Sequence, residues 1–360
     1  MQFKKTILAA SMAAACVTAA YAEEKKMMPE KPGVPTLGQI IEATGISING
    51  YIDTSYTYLS GSGTFTSGTA NRVFDTERRG FNLHMLDLTI SALPPEGFGG
   101  LVNLSGGSDA KVITPAGTTN DEFDVTQAYV HFASGPWMAI AGKYVTLSGA
   151  EVIKSPSNSN FSRSILFGYA IPFTHTGVRA YFTPGGSAVA PDGKPTFFFG
   201  ANNGWDVLKE SQQAAASDGS IADGKTLELG VSANLSKSVA LAAVYYGGDE
   251  SAGSAVTGRR DLLDIVATFN ATDNLSFVLN YDVAKQDKAF AGGGDAKWDG
   301  LAGYVNYKFS DKWRIAGRLE YFNDKDGFRT GVAQKWKEGT VTLAYSPTDR
   351  IELRGEARYD

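Results

Sequence analysis

From Ile46 to the end of the chain, apolar residues recur at every second position, and the segments that show this pattern are joined alternately by long and short connections. A period of two describes extended strands whose two faces meet different surroundings. The strand from Lys312 sets Trp313, Ile315, Leu319 and Tyr321 against Arg314, Arg318 and Glu320. The last one sets Ile351, Leu353, Ala357 and Tyr359 against Arg350, Glu352, Arg354, Glu356 and Arg358. Fifteen such strands are predicted, at 46–59, 80–93, 98–105, 122–132, 137–147, 175–183, 196–203, 225–235, 238–247, 261–270, 274–285, 298–309, 312–323, 337–345 and 350–359.

The connections are sorted by length. Those at 60–79, 106–121, 148–174 and 204–224 are long. Those at Pro94–Gly97, Ala133–Pro136, Ser236–Lys237, Ala271–Asp273, Ser310–Asp311 and Ser346–Asp349 carry tight-turn residues. The segment between Pro184 and Pro195 is an exception. Alternation alone also suits a half-buried soluble sheet, but a soluble sandwich has no reason to sort its loops. An antiparallel up-and-down transmembrane β-barrel does, with short periplasmic turns on one rim and longer loops on the other. Aromatics near strand ends, such as Tyr56, Tyr58, Tyr304, Phe309, Trp313, Tyr321 and Tyr345, fit interfacial girdles. The charged face of the final strands is too ionic for a dry core, so water is expected to reach it.

Bacterial single-chain barrels have even strand numbers, so the expected all-β fold is a barrel of about sixteen strands, fifteen of them visible. A final strand is expected beyond Asp360, and the barrel at 46–360 is read as truncated there. Prolines at 29, 32 and 35 oppose the preceding segment as a substitute. Lys4 and Lys5 precede the apolar run Ile7–Ala20, and Ala20-Tyr21-Ala22 suits signal peptidase. Residues 1–22 are therefore read as an export signal and 23–45 as a periplasmic lead-in with a short helix at 36–43. The apolar run is too short to span a bilayer as a helix, and the one cysteine, Cys16, lies inside it.

Three histidines and a net charge of −5 exclude most other classes. His84, His131 and His175 are too scattered for a metal site, no cofactor is called for, and nothing supports a nucleic-acid partner. No Gly-x-Ser-x-Gly elbow occurs, so a barrel hydrolase is disfavoured and the chain is read as no enzyme. An adhesin or structural barrel is the other alternative, since Leu59–Asn71 is glycine- and serine-rich.

The run Ala141–Ile153, followed by Ser155–Ser164 and Ala170–Gly177, resembles the OmpL-like β-barrel porin family of bacterial outer membranes. The resemblance implies an outer-membrane pore through which small hydrophilic solutes or ions diffuse passively. Outer-membrane lipid and lipopolysaccharide, the barrel-assembly machinery and the solutes are then the partners, and a homotrimer is allowed. By analogy with general porins, the connection 148–174 folds inward, so that Glu151, Lys154 and Arg163 line a constriction with Arg314, Arg318 and Glu320 opposite them. A transverse field between loop acids and wall bases is expected. An ordinary outer loop packed by Phe161, Phe167 and Tyr169 is the competing reading. Arg350, Glu352, Arg354, Glu356 and Arg358 are expected on a wet wall, either tuning ion passage or pairing with one another.

Overall fold

The computed structural model describes residues 9–12, 43–59, 72–75, 77, 79–115, 118, 121–209, 224–251, 257–290 and 292–360. The expected helix at 36–43 and the proposed cleavage site lie outside these residues, apart from Ala43. Fifteen long strands run in sequence order, each antiparallel to the next. They are β2 (Ser47–Tyr58), β3 (Arg79–Ala92), β4 (Gly97–Gly106), β5 (Phe123–Ser134), β6 (Trp137–Val145), β7 (Thr174–Phe182), β8 (Thr196–Asn202) and β9 (Thr226–Asn234). After them come β10 (Val239–Ser251), β11 (Thr257–Asn270), β12 (Leu275–Gln286), β13 (Ala296–Lys308), β14 (Trp313–Asp324), β15 (Gln334–Thr348) and β16 (Ile351–Tyr359). Among the described residues helix is confined to single turns and α1 (Ser108–Ile113), which lies in the connection after β4.

The ring closes through β1 (Ala9–Met12), whose four residues pair with Arg358 to Gly355 on one side and, from Ala10, with Tyr58 to Tyr56 on the other. This short strand lies within the segment read as an export signal, at the place in the ring where a sixteenth strand is expected. That place is filled only at the long-connection end. Toward the short turns, β2 from Ser47 to Ser55 and β16 from Ile351 to Arg354 have no ladder partner across this seam among the described residues.

Side-chain parity follows the sequence. Phe277, Leu279, Tyr281 and Val283 face out and are exposed, whereas Asn280, Asp282 and Gln286 on the same strand are buried inside. Near the short turns the outward aromatics touch in pairs: Phe98 with Phe132, Trp137 with Phe182, and Trp313 with Tyr345. This is a girdle suited to a membrane interface. Tyr304 departs from expectation, because it shares parity with Trp298 and Ala302 and so points inward, opposite Arg318 across the ladder. The wet inner wall is also corrected: Arg318, Glu320, Glu356 and Arg358 are all buried, because the connection after β6 folds into the barrel and covers them.

A clasp bridges the seam at the long-connection rim. Arg72, beyond β2, donates to Asp75 at 2.5 Å and to Asp360, beyond β16, at 2.8 Å. Burial works against the Asp75 carboxylate, but Arg72 and Arg358 outweigh it and hold its pKa below 3.8. A carboxyl with a lowered folded pKa stabilises the fold above its unfolded value and stops doing so as pH falls through the folded one. Amide exchange at residues 72–75 is therefore expected to quicken as the pH drops below 3.8, while exchange in β11–β14 stays slow.

Candidate functional site

The inward fold begins where β6 ends. Gly149, with φ of +95°, turns the chain away from the wall in a conformation that side chains with a Cβ rarely adopt. A Cβ there would lie 2.7 Å from the side chain of Ile171, on the returning limb. The two limbs meet through Thr146 N–H, which donates to Phe173 O at 3.0 Å. Phe173 and Thr174 N–H both donate to Asp206, and burial raises the pKa of that carboxyl despite them. Phe161, Ile165, Leu166, Phe167 and Ile171 are buried along the segment.

Between these limbs the backbone is largely irregular, so its amides and carbonyls find few partners within the segment. Buried backbone groups need such partners, and the inner wall supplies them. Glu356 accepts from Phe161 N–H at 2.6 Å and from Ser162 N–H at 3.0 Å. Glu320 accepts from Ile165 N–H at 2.7 Å and Leu166 N–H at 3.1 Å. The guanidiniums serve the carbonyls. Arg314 donates to Ser159 O at 2.6 Å, Arg318 to Ser162 O at 2.7 Å, Arg354 to Ser155 O at 3.1 Å and Arg358 to Arg163 O at 2.7 Å. A one-turn helix, Leu166–Ala170, ends against Trp298, whose indole N–H donates to Ala170 O at 3.0 Å. It packs so closely that a Cβ at Gly300 would lie 2.7 Å from Leu166.

Ion pairs tie the same groups together. Arg318 meets Glu151 at 2.7 Å and Glu338 at 2.9 Å, with Glu320 at 3.8 Å. Glu352 lies 2.7 Å from Arg314 and 2.5 Å from Arg354, and Arg358 pairs with Asp360 at 2.6 Å. Loop acid and wall base therefore touch, instead of facing each other across water as the transverse-field picture expects. Arg163 folds back, donating to Phe161 O and Ile153 O, with Asp109 at 3.6 Å. Lys154 reaches β3 instead, at 2.8 Å from Thr89 and 3.3 Å from Asp87, with a third of its side chain exposed. Arg350 sits exposed on the turn before β16, at the mouth of a cavity that it lines with Ser155, Phe161 and Arg354.

Two sets of partners went unread in the sequence. Glu338 shares parity with Thr340 and Thr342, so its inward placement was available from alternation. The second set is a buried chain in which Ser55 Oγ lies 2.8 Å from His84 Nε2, and His84 Nδ1 lies 2.9 Å from Asp109. The order resembles a hydrolytic triad, but the ring of Phe161 packs edge-on against His84 at 5.1 Å and all three residues are buried. Beside the segment, a cavity of about 430 Å³ separates it from β4–β6, lined by Asn103, Thr126, Gln127, Leu147, Glu151 and Lys154 among others.

A barrel of this kind, with a connection folded into its interior, defines an outer-membrane channel. Residues 45–360 match the family model described as "Putative beta-barrel porin-2, OmpL-like", and the chain belongs to that family. Among solved structures it is similar to the outer membrane channel DcaP of Acinetobacter baumannii, at 12% identity and a TM-score of 0.54, covering 88% of this chain and 97% of that one. It is also similar to the anion-selective porin of Comamonas acidovorans, at 12% identity and a TM-score of 0.53, covering 87% and 98%. A substituted form of the Rh. blastica porin aligns at 13% identity with a TM-score of 0.52, covering 88% and 99%. No curated protein matches the chain in sequence.

Arg318→Met is expected to destabilise the folded barrel by about 3–5 kcal/mol, because it leaves buried carboxylates without their counter-charge. Equilibrium urea unfolding in lipid vesicles measures this. In a double-mutant cycle, Glu151→Gln together with Arg318→Met should cost less than the sum of the single changes.

Proposed function

We propose that this outer-membrane channel passes small hydrophilic solutes by diffusion beside the inward segment, and that the segment sets the effective width of the path. The observation that carries this reading is the hydrogen bonding of the segment's backbone to the inward side chains of β14–β16, with a cavity left open on the β4–β6 side. The path involves no chemical step, and the Ser55–His84–Asp109 chain serves packing. In this reading most wall charges are structural. Lys154, Arg314 and Glu352 keep 33%, 26% and 29% of their side chains exposed, and since Arg314 and Glu352 pair at 2.7 Å, Lys154 is the charge through which the path senses ions. Outer-membrane lipid including lipopolysaccharide, the barrel-assembly machinery and two further copies of the chain in a trimer are the proposed partners.

Replacing residues 152–164 by a short glycine linker should raise single-channel conductance several-fold in planar bilayers. An unchanged conductance would place the path elsewhere. Lys154→Glu should move the reversal potential in a salt gradient toward cation preference without a comparable change in conductance.

A further inference from the structure

Outward side chains are apolar over most of the wall, but near the long-connection rim of β12–β15 they change character. On β12 the exposed run Phe277, Leu279, Tyr281 and Val283 gives way to Lys285. On β13, Leu301 is followed toward the rim by Asp299 and Lys297, and on β15 Val341 is followed past Gly339 by Lys337 and Lys335. Lys285 and Lys297 stand directly opposite each other across the β12–β13 ladder, both exposed. Like charges in that position repel. Lys285 has partial relief from Asp261 at 3.4 Å and Asp287 at 3.6 Å. Among the described residues, Lys297, Lys335 and Lys337 make no ion pair. Over β10–β13 the wall carries a groove of about 360 Å³, lined by Leu263, Val283, Lys285, Lys297 and Lys325 together with Asp261 and Asp299, of which Asp299 pairs with Lys325 at 3.4 Å.

We propose that this basic rim binds the phosphorylated headgroup of lipopolysaccharide in the outer leaflet, with phosphates between the lysines and acyl chains descending over Leu263, Val283 and Leu301. Three features of the wall support this occupant. The ammonium groups lie just above the apolar band, at the height of lipid headgroups on the long-loop side. They fall within four successive strands, on β12, β13 and β15, of a chain whose net charge is −5. An anion between Lys285 and Lys297 also turns their mutual repulsion into shared attraction, whereas a second copy docking through the same patch would set lysine against lysine. The inference deepens the lipid partnership proposed above and does not depend on conduction.

The test uses the full barrel refolded in neutral detergent, titrated with diphosphorylated lipid A and separately with the same lipid stripped of its phosphates, and followed by native mass spectrometry. The parent protein should prefer the phosphorylated form. A basic group near an anionic lipid surface contributes roughly fivefold in affinity, so Lys285→Gln, Lys297→Gln, Lys335→Gln and Lys337→Gln combined should weaken binding by at least about tenfold. Unchanged single-channel conductance in that variant shows that the barrel is intact. If it does not refold, Lys335→Gln with Lys337→Gln, which leaves the Asp261 ion pairs untouched, should still lose about fivefold or more. Equal binding of the two lipids overturns the proposal, as does equal binding by parent and variant. Lysine-dependent self-association that lipid A leaves unaffected also overturns it.

Discussion

An irregular polypeptide segment placed inside a barrel must find a hydrogen-bond partner for nearly every amide and carbonyl it buries, and the wall around it is the nearest source. In this protein the inward faces of β14–β16 meet that demand with ionised side chains. Carboxylates of Glu320 and Glu356 each take two adjacent N–H groups, and four guanidiniums reach five carbonyl oxygens, including Asn160 O. Charge-assisted hydrogen bonds of this kind are stronger than neutral ones. Apart from Glu356, these groups also form ion pairs, the guanidiniums with Glu151, Glu338, Glu352 and Asp360, so each positive charge in the cradle has a carboxylate partner.

The balance changes how selectivity has to be understood. A charge that is buried and paired projects little field into a neighbouring path, whereas a partly exposed one is screened but accessible. Arginine and glutamate alternating on an inner wall look like a filter when read as a linear pattern. Folded, they are mainly the attachment surface of the inward segment, and the cavity beside it is bordered largely by uncharged side chains.

Much of this was legible before any coordinates. Strand parity on β14 and β16, the sorting of connections and the motif between Ala141 and Gly177 led to the barrel and to the family that residues 45–360 match. Alternation reports which face a residue occupies, because that depends on local geometry alone. It does not report what covers that face. The dryness of Arg318 and Arg358 depends on a segment more than 150 positions away, and local pattern carries no trace of it. Tyr304 was misassigned for a different reason: it was grouped with rim aromatics by residue type, although counting by twos from Trp298 puts it inside. Ser55, His84 and Asp109 come from three separate elements, and only the tertiary fold brings them into line.

The sequence distances in the cradle also bear on assembly. Phe161 N–H waits for Glu356, 195 positions later, and Ile165 N–H for Glu320, 155 positions later. Long-range closures of this kind come late in folding, because chain entropy must be spent before the contact returns anything. A barrel released to the membrane in order of its strands would therefore stand hollow until β14–β16 arrived, and the inward segment would settle last. If the segment sets the width of the path, as proposed above, its docking is the step that gives the channel its working bore.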